Sequence, residues 1–189
     1  GRLFDGRPDF MRRPRDTMTA KPVVAIAVNM SSSAYIKPHV LGLRGMVAAI
    51  AADHLRREGY PVELWAVQHS RGAYTGSKNE GSERDSFVAL RVFKAGQVFT
   101  DRDAVNALGA SAFRSLTFAC IEAAHPSTVS SGLGMPTTLS DEKRVLAQEV
   151  MHADRLLFVD ANAQSNDFKK ELNRAIDATL TGLSAFFDE

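Results

Sequence analysis

The sequence predicts an α/β domain: a doubly wound, mostly parallel β-sheet with helices on both faces, in three layers. Three observations carry this. The run Val23-Val24-Ala25-Ile26-Ala27-Val28 is continuously apolar and partly β-branched, the pattern of a central strand covered on both faces. An amphipathic helical segment and a second apolar run, Val62 to Val67, follow it, so the chain takes a strand, helix, strand course. Late in the chain a brief apolar run, Leu156 to Val159, precedes one more amphipathic helix.

Bulk properties bound the answer without naming it. A chain of 189 residues with 44% hydrophobic and 24% charged composition suits one globular domain and can bury a sizeable core. The formal net charge of +1 carries no global signature of nucleic-acid or membrane binding. A single cysteine, Cys120, rules out an internal disulfide, a zinc ribbon or a redox pair, and fits a reducing compartment. The longest apolar runs are too short to span a bilayer. We therefore expect a cytoplasmic protein, or a virion component should the chain derive from a phage.

Residues 1–21 read as an extended basic arm or linker. They hold Arg2, Arg7, Arg12, Arg13, Arg15 and Lys21 against Asp5, Asp9 and Asp16, while Pro8 and Pro14 interrupt any periodic pattern. Leu3, Phe4, Phe10 and Met11 favour partial docking of this arm. The α/β domain then covers 22–189. Beyond the first strand, Pro38 precedes a helix in which Leu43, Met46, Val47, Ile50, Ala51 and Leu55 recur at helical spacing, and Gly59 ends it. Val62 to Val67 forms the next strand and carries Trp65, a core residue.

His69 to Asp85 is rich in Gly, Ser and charge and reads as a long exposed connection. Phe87 to Phe93 forms a third strand. Asp101 to Ala124 reads as a helical region with Val105, Leu108, Ala112, Leu116 and Cys120 on one stripe, and Gly109 as a point where it divides. Pro126 to Thr138 is a second Gly/Ser/Thr-rich loop. Ser140 caps a helix running to about Met151, with Asp141 and Glu142 in its favourable first turn. In the last helix, Leu172, Ile176, Thr179, Leu180, Leu183 and Phe187 form an apolar stripe expected to face the sheet.

Chemistry concentrates at strand ends. Asn29-Met30-Ser31-Ser32-Ser33 follows the first strand directly, and in an open α/β sheet such loops line the crevice where ligands bind. Closely spaced oxygen donors there suit a hard cation or a carboxylate. The same hydroxyls would also serve simply to cap the following helix or satisfy backbone donors. Asp160 ends the strand Leu156 to Val159, with Asn162 and Gln164 adding polar groups, and a plain turn-forming role is the alternative there.

On these residues the chain resembles the von Willebrand factor type A domain, whose metal-ion-dependent adhesion site gathers an Asp-x-Ser-x-Ser loop, a distant Thr and a distant Asp. Asn29, Ser31 and Ser33 match the first loop, and Asp160 matches the later Asp. Thr137 is the first choice for the Thr, within Gly132-Leu133-Gly134-Met135-Pro136-Thr137-Thr138, with Thr138 close behind. The resemblance covers roughly Lys21 to Glu189 and rests on element order more than on identity. The chain is also similar to uncharacterised von Willebrand-like domains of phages and mobile elements.

The resemblance implies a protein-recognition module rather than an enzyme, in which Mg²⁺ in an octahedral oxygen shell leaves one position for a partner's carboxylate. Asn29, Ser31, Ser33, Thr137 and Asp160 would be both the metal ligands and the partner-binding surface. An amide at Asn29 in place of a carboxylate removes a full negative charge, so the site is expected to be degenerate and to hold Mg²⁺ weakly or not at all. The implied partner is a protein, engaged through an acidic side chain. No membrane partner is expected, nucleic acid is not favoured, and oligomerisation is compatible with everything above.

Other functions find less in the sequence. A serine-type hydrolase has Ser31 to Ser33 after a strand and five His to draw on, but the Gly two before and two after the nucleophile are missing and no base can be assigned. No Gly-rich dinucleotide fingerprint or Walker-type Gly-Lys-Ser/Thr occurs. The basic residues lack the aromatic interleaving that stacks bases. A purely structural component of a larger complex or phage particle is the runner-up.

Overall fold

A parallel neighbour on each side, rather than hydrophobicity alone, keeps the first strand dry along its whole length. The structure, a computed structural model, describes residues 21–30, 32, 36–73, 84–109, 135–136, 141–159 and 165–188, with positions 112, 115, 119 and 123 singly. In chain order the elements are β1 (Val24–Asn29), α1 (Pro38–Arg57), β2 (Val62–Ala73), β3 (Arg84–Phe93), α2 (Asp101–Ala107), β4 (Met135–Pro136), α3 (Asp141–Met151), β5 (Arg155–Val159) and α4 (Phe168–Asp188). The sheet is ordered β3-β2-β1-β5, and β4 pairs with β2 off that path.

The register shows why β1 is apolar throughout. It runs from Val24 opposite Val62 to Asn29 opposite Val67 in β2, and from Val24 opposite Arg155 to Val28 opposite Val159 in β5. Alternation then splits its side chains between two cores. Val24, Ile26 and Val28 cluster with Ala48, Ala52 and Leu55 of α1, Ala104 of α2 and Phe186 of α4. Ala25 and Ala27 cluster with Trp65, Phe158 and, from α3, Ala147 and Met151. Small residues on this second face leave room for the Trp and Phe rings. Each fully buried Val or Ile contributes roughly 1.5–3 kcal/mol.

The fold class holds as α/β, but the sheet is mixed rather than mostly parallel. β2 pairs antiparallel with β3, from Leu64 opposite Phe93 to His69 opposite Phe87 and on to Ala73 opposite Arg84. Strands joined without a crossover helix can lie side by side only in this sense. The same ladder corrects the reading of His69 to Asp85 as an exposed connection. β2 continues through Ala73, β3 begins at Arg84, and His69 is 4% exposed. Polar residues form strand here because strand preference follows pairing and burial more than residue type.

Helix ends follow local chemistry. α1 begins with Pro38 after an extended Lys37, where the missing N–H costs nothing. It ends in a Schellman motif. The Gly59 N–H donates to the Arg56 carbonyl (2.9 Å) and the Tyr60 N–H to that of Leu55 (3.0 Å), with Gly59 at φ 82° where other residues would be strained. α2 opens on a capping box between Thr100 and Asp103. Its continuous helix stops at Ala107 with Leu108 as cap and Gly109 following, so the expected single helical region divides there.

Two expected apolar stripes are buried in part. In α1 Leu43, Val47, Ala51 and Leu55 are buried as expected, whereas Met46 and Ile50 are exposed and Leu41, Arg44, Ala48 and Ala52 are buried as well. In α4 Thr179 is buried and Leu172 and Leu183 are partly buried as expected, whereas Ile176, Leu180 and Phe187 are exposed and Glu171, Ala175 and Phe186 are buried. A helix lying on a sheet and beside a neighbouring helix buries small residues where backbones approach closely, and that displaces the larger ones outward. Val47 and Ala175 mark the α1–α4 contact.

Candidate functional site

Three described segments end on the same side of the sheet as the carboxyl end of β1. β1 finishes at Asn29, opposite Val67, and the Met30 N–H continues the pairing to the Val67 carbonyl at 2.7 Å. β5 finishes at Val159, beside Val28. β2 runs on past both, and on the side that β1 has vacated it pairs with β4, Ser70 opposite Pro136 and Arg71 opposite Met135. Because β4 is antiparallel to β2, its backbone travels from the level of Arg71 to that of Ser70, toward Val67 and Asn29.

Of the expected site residues, Asn29 ends β1 and is fully buried. Ser31, Ser33, Thr137 and Asp160 lie outside the described residues, as does Thr138. Their described neighbours in sequence are Met30 and the half-buried Ser32, Pro136, and Val159.

Buried polar groups surround Asn29 in a way that the sequence analysis missed. Arg44 of α1 is 2% exposed, and its Nη1 donates to the Asn29 carbonyl. A guanidinium is never neutral at ordinary pH, so a permanent cation lies against the end of β1. The signal was present in the sequence: Arg44 stands three or four residues from Leu41, Val47 and Ala48 on the buried stripe. Gln68 and His69, at 5% and 4% exposure, extend the polar lining along β2. By alternation His69 shares a sheet face with Asn29, and Gln68 takes the other.

The loops that follow β1 and β5 are tied together. The Lys37 N–H, just before α1, donates to Asn166 Oδ1 at 2.7 Å. Glu171, 4% exposed on the first turn of α4, accepts from the Ser165 N–H and hydroxyl at 3.2 Å each and pairs with Arg174 at 3.2 Å. A buried carboxylate needs such partners, and these fix the entry of α4 beside that of α1.

Chemically, among the described residues, the end of β1 has a buried guanidinium, neutral amides and a histidine near it. A fixed positive charge there disfavours a divalent ion close by. Among the described residues no three His, Cys, Asp or Glu side chains come together as metal ligands. No helix of the described residues is long and apolar enough to cross a membrane.

A cleft of about 450 Å³ opens at the opposite, amino end of β5, between α3 and α4. Its Arg155 donates to the Phe186 carbonyl at 2.8 Å and lies 4.7 Å from that ring's centroid, so this cation holds α4 against the sheet. The cleft is distant from the carboxyl ends of β1 and β5.

The chain belongs to the family described as Domain of unknown function (DUF7192), whose model matches residues 1–179. No curated protein matches it.

Proposed function

We propose that this chain is a non-enzymatic protein-recognition or assembly module of von Willebrand A type, a three-layer doubly wound domain that receives a partner's acidic group at the carboxyl ends of its strands. Ser31, Ser33, Thr137 and Asp160 form the contact surface over the buried Asn29, and Mg²⁺ binds at these five residues weakly or not at all. The observation that supports this reading is that Asn29, Pro136 and Val159, the described residues next to or within the three segments that would supply the contacts, lie at one end of the sheet. Arg44 supports the weak-metal part of the proposal, because its fixed charge beside Asn29 does part of what a bound cation would do.

Affinity capture with quantitative mass spectrometry, comparing the natural chain with Asp160→Ala and Ser31→Ala, tests the proposal. A partner held by the natural chain and lost by both variants, with melting temperatures unchanged, is expected. Identical capture by all three would overturn it.

A further inference from the structure

The seam between α1 and α4 exposes more apolar surface than a solvent-facing pair of helices should. Ile50 is 62% exposed on α1, and Leu180 and Phe187 are 58% and 50% exposed on α4. They belong to one face. The two helices run side by side, with His39 and Phe168 rings 6.2 Å apart at one end, Val47 and Ala175 packed at the middle, and His54 and Phe187 rings 6.3 Å apart at the other. Met46 and Ile176, at 38% and 37% exposure, fill the interval. Contiguous apolar surface of this kind marks a face that another segment covers.

Where the described chain begins says which segment. Lys21 is anchored at the carboxyl end of this seam: its Nζ donates to the Glu58 carbonyl at the α1 cap and lies 4.3 Å from the centroid of the Tyr60 ring. Tyr60 packs edge-on against Phe186 at 5.3 Å, and Phe186 against Phe187 at 5.1 Å. Lys21, where the described chain begins, therefore sits beside the exposed face. Twenty residues reach about 65 Å when extended, whereas α1 is about 30 Å long, so the arm can run the whole seam. It carries four large apolar residues among its charges, Leu3, Phe4, Phe10 and Met11. The family match begins at residue 1 and so includes the arm with the domain.

We propose that residues 1–20 lie along the α1–α4 seam, with Leu3, Phe4, Phe10 and Met11 covering Ile50, Leu180 and Phe187. The arm then acts as an intramolecular strap over one helical layer, independent of the strand-end site.

Limited proteolysis of the full chain tests this. Trypsin cuts after Arg12 and Arg15, whereas Arg7 and Arg13 are followed by proline and resist it. Cleavage follows the population of the open form, so a docked arm should be cut at least about tenfold more slowly than in Phe4→Asp/Phe10→Asp. The face variant Ile50→Asp/Leu180→Asp should match the arm variant. Val145→Asp/Val150→Asp, on α3 where those residues are 60% and 52% exposed, should match the natural chain. Equal rates in the natural chain and the arm variant would overturn the strap, and the arm variant leaves the described core untouched should the face variant fold poorly. Protection that vanishes on dilution would also overturn it, assigning the seam to a second copy.

Discussion

The Arg44 guanidinium donates to the backbone carbonyl of Asn29, joining the buried face of α1 to the last residue of the central strand. A donor from the helix thus satisfies a carbonyl at the point where the ladder of β1 ends. Removing it deletes a charge-assisted hydrogen bond to a buried acceptor, which costs about 1.5–3 kcal/mol. Arg44→Met should lower unfolding free energy by that amount in urea titrations with an unchanged denaturant slope. A change below about 0.5 kcal/mol, the usual span of surface substitutions, would show that the contact is dispensable.

The same cation bears on metal binding. If Mg²⁺ is held weakly, its stabilisation by mass action is small: even at ten times its dissociation constant an ion adds only about 1.4 kcal/mol. Thermal melting with and without Mg²⁺ should give nearly equal midpoints for the natural chain and a larger upward shift for Asn29→Asp. Large and equal shifts in both would contradict a degenerate site.

α1 carries two glycines with opposite expected responses. A Cβ at Gly42 would meet nothing within 4 Å, whereas one at Gly45 would come 3.0 Å from Leu108 Cβ and 3.4 Å from the Leu108 carbonyl oxygen. Gly42→Ala should stabilise by about 0.5–1 kcal/mol through helix propensity. Gly45→Ala should lose about 1 kcal/mol net, because the turn after α2 must retreat from α1. Chemical denaturation of both variants checks the sign, and stabilisation by Gly45→Ala would show that α2 yields freely.

Acid should loosen the start of α2. The Asp103 carboxyl is held below the usual carboxylate range by the Thr100 backbone N–H, then by the Thr100 hydroxyl, with Arg102 adding a smaller pull against slight desolvation. A depressed folded value means that the stabilisation is complete above the ordinary Asp range and is lost as pH falls through the folded value. Amide exchange at Ala104 and Leu108 should therefore speed up on acidification in the natural chain beyond the general pH trend, and Asp103→Asn should remove that excess. An excess that persists in Asp103→Asn would place its origin elsewhere.

Periodicity carried the parts of the fold where pattern and burial agree. The run from Val24 to Val28 is a central strand because it is apolar at every position, Gly59 closes α1 because only a positive φ fits there, and Trp65 is 9% exposed in the core. What pattern could not give is burial of polar groups. Arg44 occupies the buried stripe although charged side chains seldom go inside. His69 reads as loop because its strand partner, Phe87, is distant in sequence. Of the site, Asn29 was legible through its place after β1, and Glu171 was not, since its buried role depends on Ser165 and Arg174 meeting it at the mouth of α4.

Convergence of the first loop with the end of β5 is tested most directly by cross-linking. In a Cys120→Ser background, Ser31→Cys with Asp160→Cys should be bridged efficiently within one molecule by a short bismaleimide. Ser31→Cys with His152→Cys should not, because His152 lies beyond the far end of β5, a strand about 17 Å long. Efficient linking of the first pair alone is the expected result. Failure to link Ser31→Cys with Asp160→Cys, or equal linking of both pairs, would contradict a shared site at the strand ends.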